Sequence, residues 1–191
     1  LITILSNIDN TLLLWINKAH NPILDFIFFN ASSTYIWIPL YLYFTYHFYK
    51  KYKSKIIYVI ISIILLIVCT DQTASGIFKP LVQRLRPCHD PTLQGMLHLV
   101  NNYCGGMYGF FSSHASNTFG YSVFVFYSIK LKSFEKLILV FYIAINAYSR
   151  IYLAAHYPSD ILAGWICGLF FGYVLYRFLN FLLIFIPKIK L

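Results

Sequence analysis

From Ile56 to Phe78 the chain carries a single charged side chain, Asp71. A run this long and apolar can cross the hydrocarbon core of a bilayer as a helix. In lipid only the helix itself can satisfy the backbone amides of such a run, so helical structure follows. Four further stretches, about 33–49, 113–129, 137–154 and 161–185, repeat the pattern. Composition agrees, with 59% hydrophobic, 20% aromatic and only 11% charged residues in 191. Soluble domains carry roughly 25% charged residues. The expected fold is all-α: a polytopic membrane bundle of five to six transmembrane helices, forming one domain over residues 1–191. Residues 1–32 are less apolar, since Asp9, Asn10, Asn17, Lys18 and Asp25 interrupt the Leu and Ile runs. They predict an interfacial amphipathic helix at about 5–18 and a second near 22–29. No cleavable signal peptide is expected, because no basic region or small-residue cleavage site precedes an apolar core.

A net charge of +9 would suggest nucleic acid in a soluble protein. Here it reads as topology, and no nucleic-acid partner is expected. Lys50, Lys51, Lys53 and Lys55, then Lys130, Lys132 and Lys136, then Arg177, Lys188 and Lys190 all fall on one side of the predicted spans. The positive-inside rule makes that side cytoplasmic. Lys79, Arg84, Arg86, His114, Arg150, His156 and Asp160 fall on the other side, facing periplasm or extracellular space. The four cations there run against the rule, which suggests that they are kept for an anionic ligand.

Three segments meet on this outer side. In Lys79-Pro-Leu-Val-Gln-Arg-Leu-Arg86-Pro87 the Lys and Arg are two helical turns apart, on one face if the segment is helical. Such a pair suits phosphate, the arginine through its planar fork. Snorkelling to lipid headgroups is the plainer reading of the segment alone. Arg84 would point elsewhere on that helix, outside the site. Phe111-Ser112-Ser113-His114 opens a membrane helix, where either serine is a good N-cap. The free amides of the first turn make an anion site beside His114. In Ser149-Arg150-x5-His156-x3-Asp160, Asp160 could accept from one imidazole nitrogen and leave the other as a nucleophile. A structural His–Asp pair is the alternative.

Taken together, Lys-x6-Arg-Pro, Ser-Ser-His and Ser-Arg-x5-His-x3-Asp closely resemble the motifs of the phosphatidic acid phosphatase type 2 superfamily. These are membrane lipid phosphatases related to vanadium haloperoxidases. The third motif matches without a gap, and the first at Lys79, Arg86 and Pro87. The second departs from Pro-Ser-Gly-His, with Phe111 for Pro and Ser113 for Gly. Losing Gly restricts the backbone, but the serine is small, so activity is expected to persist. The motifs span 79–160.

The residues themselves imply a phosphate held by Lys79, Arg86 and Arg150 with helix amides near Ser112 and Ser113, and no cofactor. The resemblance implies that His156 forms a phosphohistidine, that Asp160 orients it, and that His114 protonates the leaving oxygen. Among family substrates, undecaprenyl pyrophosphate is the leading expectation. Lipid A, phosphatidylglycerophosphate and phosphatidic acid are the alternatives, and a lipid or phosphate transporter using Asp71, Gln72, Asn117 and Asn146 is the reading of another class. Cys88, His89, His98 and Cys104 fit no standard zinc spacing. Cys88 and Cys104 are expected to form a disulfide in an oxidising compartment, with Cys69 and Cys167 free. The expected setting is a bacterial inner membrane. Its partners are the lipid phosphate or pyrophosphate and the surrounding membrane lipids, with no obligate protein partner.

Overall fold

A computed structural model describes residues 2–185. Among them the chain is mostly helical, apart from turns and an irregular segment that holds one isolated antiparallel bridge, Leu85 to Tyr108. Helices α1 (Ile2–Lys18) and α2 (Pro22–Ala31) come first, with the Asn21 side chain capping α2. Helix α3 (Ile38–Tyr52) leads through Lys53–Lys55 into α4 (Ile56–Asp71). The α4 path continues through a π-helical stretch, Gln72–Phe78, into the short α5 (Lys79–Val82). After an irregular segment come α6 (Ser113–Ser128), α7 (Ser133–Tyr152) and α8 (Pro158–Phe185). The helical path Thr34–Val82 and helix α8 are each long and apolar enough to cross a membrane.

One end of the bundle is basic. Lys51 Nζ and Tyr52 Oη both donate to the Ser128 carbonyl, at 2.6 and 2.7 Å, and Lys55 Nζ donates to the Leu183 carbonyl at 3.0 Å. The ends of α3, α6 and α8 therefore meet there, with cations on the free carbonyls that helix C-termini leave. Lys188 and Lys190, expected on the same side, lie outside the described residues. The core beneath is aromatic, with Phe44, Phe48, Phe124 and Tyr142 fully buried alongside Leu66 and Leu179. Truncating Phe124 would cost about 3–5 kcal/mol.

Helices α6 and α8 touch backbone to backbone. A Cβ on Gly164 would lie 2.7 Å from the Ser112 carbonyl, one on Gly168 2.5 Å from that of Ser116, and one on Gly172 2.6 Å from that of Gly120. The four-residue spacing lines these glycines up on one stripe, and small residues are what allow helices to close at this range in a membrane.

The N-terminal helix forms where it was predicted, but two of its polar side chains face the protein. Asp9 and Asn17 are buried together with Leu13 and Ile16, while Ile4, Leu5, Ile8, Leu12 and Trp15 are exposed. The carboxylate and amide that looked like interruptions of an apolar run have partners on α7, on α8 and on the outer segment.

Candidate active site

The outer segment is not helical where the spacing of Lys79 and Arg86 suggested. Pro80 has no N–H to donate, α5 stops at Val82, and Gln83 turns left-handed at φ 52°. Residues 84–86 then run extended, with the Arg86 amide donating to the Met107 carbonyl at 3.0 Å and the Gly109 amide to that of Arg84 at 2.8 Å. Arg84 and Arg86 stand two apart on this strip yet end among different partners. The Arg86 side chain lies against Gly105 and Gly109, where a Cβ would sit 3.0 Å from Nη1 and 3.2 Å from Cγ. The strip is closed by a disulfide between Cys88 and Cys104, Cα atoms 5.9 Å apart. Those sulfurs are bonded to each other, so with His89 they are not a thiolate metal site. His98 is elsewhere, bonded to Asp25 at 2.8 Å.

Ser112 is the N-cap of α6, its Oγ accepting from the Ala115 amide. Its own amide donates to the Asp160 carbonyl at 3.1 Å, which joins the starts of α6 and α8. Ser113 is already helical, so the position needs no glycine conformation. Its hydroxyl instead accepts from Lys79 Nζ at 2.9 Å, and Lys79 Nζ donates again to Ser75 Oγ at 3.0 Å. The π-helical stretch carries Ser75 to this point. His114, one residue on, is exposed to the cavity described below.

The third segment bends back on itself. Arg150 is in the last turn of α7, and its carbonyl accepts from the amides of Ala155 and His156 at 3.0 and 3.2 Å. Ala154 holds this turn at φ 52°, a left-handed conformation costing on the order of 1 kcal/mol for a residue with a Cβ. His156 is 1% exposed, with Nε2 3.3 Å from Arg86 Nη1 and Nδ1 3.5 Å from Asp160 Oδ2. The latter pair is oriented without a formed hydrogen bond: Nδ1 has no partner in bonding geometry. Asp160 Oδ2 accepts instead from the Tyr157 amide at 3.0 Å. Burial first, then the charges of Arg86 and Arg150, hold the imidazole well below the usual histidine range. It is therefore neutral at pH 7, with a lone pair to offer.

These side chains line one cavity of about 610 Å³. Lys79, Arg86, Ser113, His114, Arg150 and His156 form one end. The remainder runs between α3, α4, α6 and α7, past Trp37, Tyr41, Ile63, Asn117, Tyr121 and Asn146. Ser112 and Asp160 stand behind the wall, at 0% exposure. Arg86 and Arg150 are 9% and 2% exposed, and neither has a carboxylate partner among the described residues. Each leaves its Nε unbonded. Buried cations are ordinarily paired, and two facing one cavity unpaired make a site for a multiply charged anion such as phosphate.

Arg84, which the helical reading set aside, is bound into the same structure from behind. Its Nη1 donates to Asp160 Oδ1 at 2.8 Å and its Nη2 to Asp9 Oδ2 at 2.7 Å. The carboxylate of Asp9, in helical register with the apolar Leu13 and Ile16, was the available signal for this network.

Comparison with known proteins gives the same picture. Lipid A 4'-phosphatases of Bacteroides thetaiotaomicron and Porphyromonas gingivalis are 35% and 31% identical to this chain. The alignments cover 92% and 89% of the chain, and 79% and 72% of the relatives. The fold matches the crystal structure of Aquifex aeolicus LpxE with a TM-score of 0.60 at 23% identity, over 89% of this chain and 95% of that one. It also matches a PAP2-type phosphatidylglycerolphosphate phosphatase from Bacillus subtilis, with a TM-score of 0.64 at 17% identity, over 95% and 89%. The sequence model of the PAP2 superfamily matches residues 55–183, which hold all three motifs and the whole cavity end built from them. The chain belongs to the PAP2 superfamily, as a membrane phosphatase.

Proposed function

We propose that this protein removes a phosphate monoester from lipid A, with the reaction centred on His156. The two lipid A 4'-phosphatases, each aligned over about nine-tenths of the chain, carry the choice of substrate. They move it from undecaprenyl pyrophosphate, the leading expectation from the sequence, to one of the alternatives. The cavity supports the reading: beyond its cationic end it is walled by polar and aromatic side chains such as Asn117, Asn146 and Tyr41, which suit a sugar next to the phosphate.

In this reading the phosphate sits among Lys79, Arg86 and Arg150, with the amides at the start of α6 beside it. His156 Nε2 attacks phosphorus, and the bond from phosphorus to the sugar oxygen breaks as His114 gives that oxygen its proton. Asp160 faces Nδ1 and offsets the positive charge that builds on the ring. Water then attacks the phosphohistidine, returning its proton to His114 and freeing Nε2 and inorganic phosphate. Positioning and fixed charge supply most of the catalysis in phosphoryl transfer.

We place the cavity on the outer face of the membrane, opposite the basic end of the bundle. Outside labelling of a cysteine placed at Ser133 would invert that orientation. The substrate is tested by phosphate release from detergent-solubilised protein on lipid A, undecaprenyl pyrophosphate, phosphatidylglycerophosphate and phosphatidate, with and without chelator. Lipid A should give the highest kcat/KM, unchanged by chelator. Preference for the pyrophosphate would return the assignment to the earlier expectation.

A further inference from the structure

Asp9 belongs to α1, outside the residues that the superfamily model matches. It is nevertheless 1% exposed and aimed at the back of the site. Oδ2 accepts from Arg84 Nη2 at 2.7 Å and from Ser159 Oγ at 2.5 Å, and Oδ1 accepts from the Ser159 amide at 2.9 Å. Ser159 is in the first turn of α8, so Asp9 caps that helix from another element and sits at the positive end of its dipole. Arg84 completes a ring, with Nη1 donating both to Ser159 Oγ at 2.6 Å and to Asp160 Oδ1 at 2.8 Å. Its guanidinium also stacks 4.0 Å over the Tyr157 ring.

We infer that Asp9 is a positioning residue for the reaction, sharing the charge of Arg84 so that Asp160 keeps its own for His156. The inference rests on the His156-centred reading above. Without Asp9, Arg84 would face Asp160 alone, and a buried guanidinium would take up that carboxylate's charge almost fully. With Asp9 present, two carboxylates share one guanidinium, leaving one net negative charge behind the imidazole. That charge acts where positive charge develops on the ring as Nε2 bonds phosphorus. In a buried site such a difference is felt strongly. The capping bonds do a second thing: they fix the start of α8, and with it the 3.5 Å approach of Asp160 to Nδ1.

The phosphate cage does not touch Asp9, so the inference separates turnover from binding. In full-length solubilised protein, Asp9→Asn should lower kcat on lipid A about tenfold. KM and the inhibition constant of inorganic phosphate, a probe of the cage, should stay within about twofold. Asp9→Glu, which keeps the charge, should retain more activity than Asp9→Asn. Ser159→Ala, which removes one link and leaves every charge in place, should lower kcat about threefold. An active wild type with an unchanged kcat in Asp9→Asn, or a loss confined to KM, overturns the inference. If Asp9→Asn does not fold, an unchanged kcat in Ser159→Ala overturns it. A wild type that releases phosphate from none of the four lipids sinks the functional reading itself, and this one with it.

Discussion

Two arginines stand two residues apart and live in opposite electrostatic worlds. Arg84 is half-buried behind the site with a carboxylate on each side, Asp9 at 2.7 Å and Asp160 at 2.8 Å. Arg86 is more deeply buried, meets no carboxylate among the described residues, and lies near Arg150 and the neutral His156. Burial first, and then the Arg150 charge, holds its guanidinium below the ordinary arginine value. Both leave one extended strip, and their partners part them: Arg84 reaches Asp9 and Asp160, and Arg86 the Ala155 carbonyl and His156. The difference teaches how to read a buried cation. One whose charge is answered by the protein belongs to the scaffold, and one whose charge is left over belongs to a ligand.

The comparison can be broken at several points. His156→Ala should reduce phosphate release by about four orders of magnitude or more, because it removes the group on which both arginines act. Full activity in that variant would remove His156 from the reaction. Arg86→Lys should lower kcat/KM about a hundredfold, since a point charge cannot replace the planar fork at the phosphate. Stability should move the other way round. Arg84→Ala leaves Asp9 and Asp160 without their cation and should destabilise the protein by about 3–5 kcal/mol. Arg86→Ala relieves like-charge crowding and should leave the melting temperature unchanged or raise it. Equal melting shifts in the two alanine variants would erase the distinction drawn between these arginines.

A smaller effect follows from His156 itself. Its proton affinity is depressed in the folded protein, so below about pH 6.5 the unfolded chain binds more protons there than the folded one. Its contribution to stability is full above about pH 6.5 and is lost as pH falls toward the lowered folded value. Thermal unfolding between pH 7.5 and 5.5 should therefore steepen in the wild type relative to His156→Gln. The smallest expected change is in Ser113→Gly, which removes one of two hydroxyls on Lys79. About a two- to fivefold change in KM should follow, with kcat held.

These helices were legible because long apolar runs fold as helices: the predicted runs at 56–78 and 113–129 lie over α4 with its π-helical extension, and over α6. The convergence of Lys79, Arg86, His114, Arg150 and His156 could be anticipated, since each stands beside the end of such a run. What spacing could not supply was the backbone between Val82 and Pro87. A seven-residue interval is two turns of a helix only if the helix continues, and here Gln83 ends it. The role of Arg84 was hidden for the same reason, and because its partner Asp9 is 75 residues away on a helix that looked merely interfacial. The α6–α8 contact was also open to reading, in the glycines at 164, 168 and 172. Their meaning depends on which helix faces them, and only the packed structure supplies that.

That glycine contact has a consequence for the chemistry. His114 rides on the first turn of α6, and Asp160 on the first turn of α8. In the proposed mechanism the separation of these two helices is therefore the gauge that sets how far the proton donor stands from the group steadying the nucleophile. A misplacement of about 1 Å in reacting groups can cost a hundredfold in rate. The tolerance of the reaction is thus written into the bilayer-buried part of the bundle, where a single added methyl would change the calibration without touching any residue that meets the phosphate.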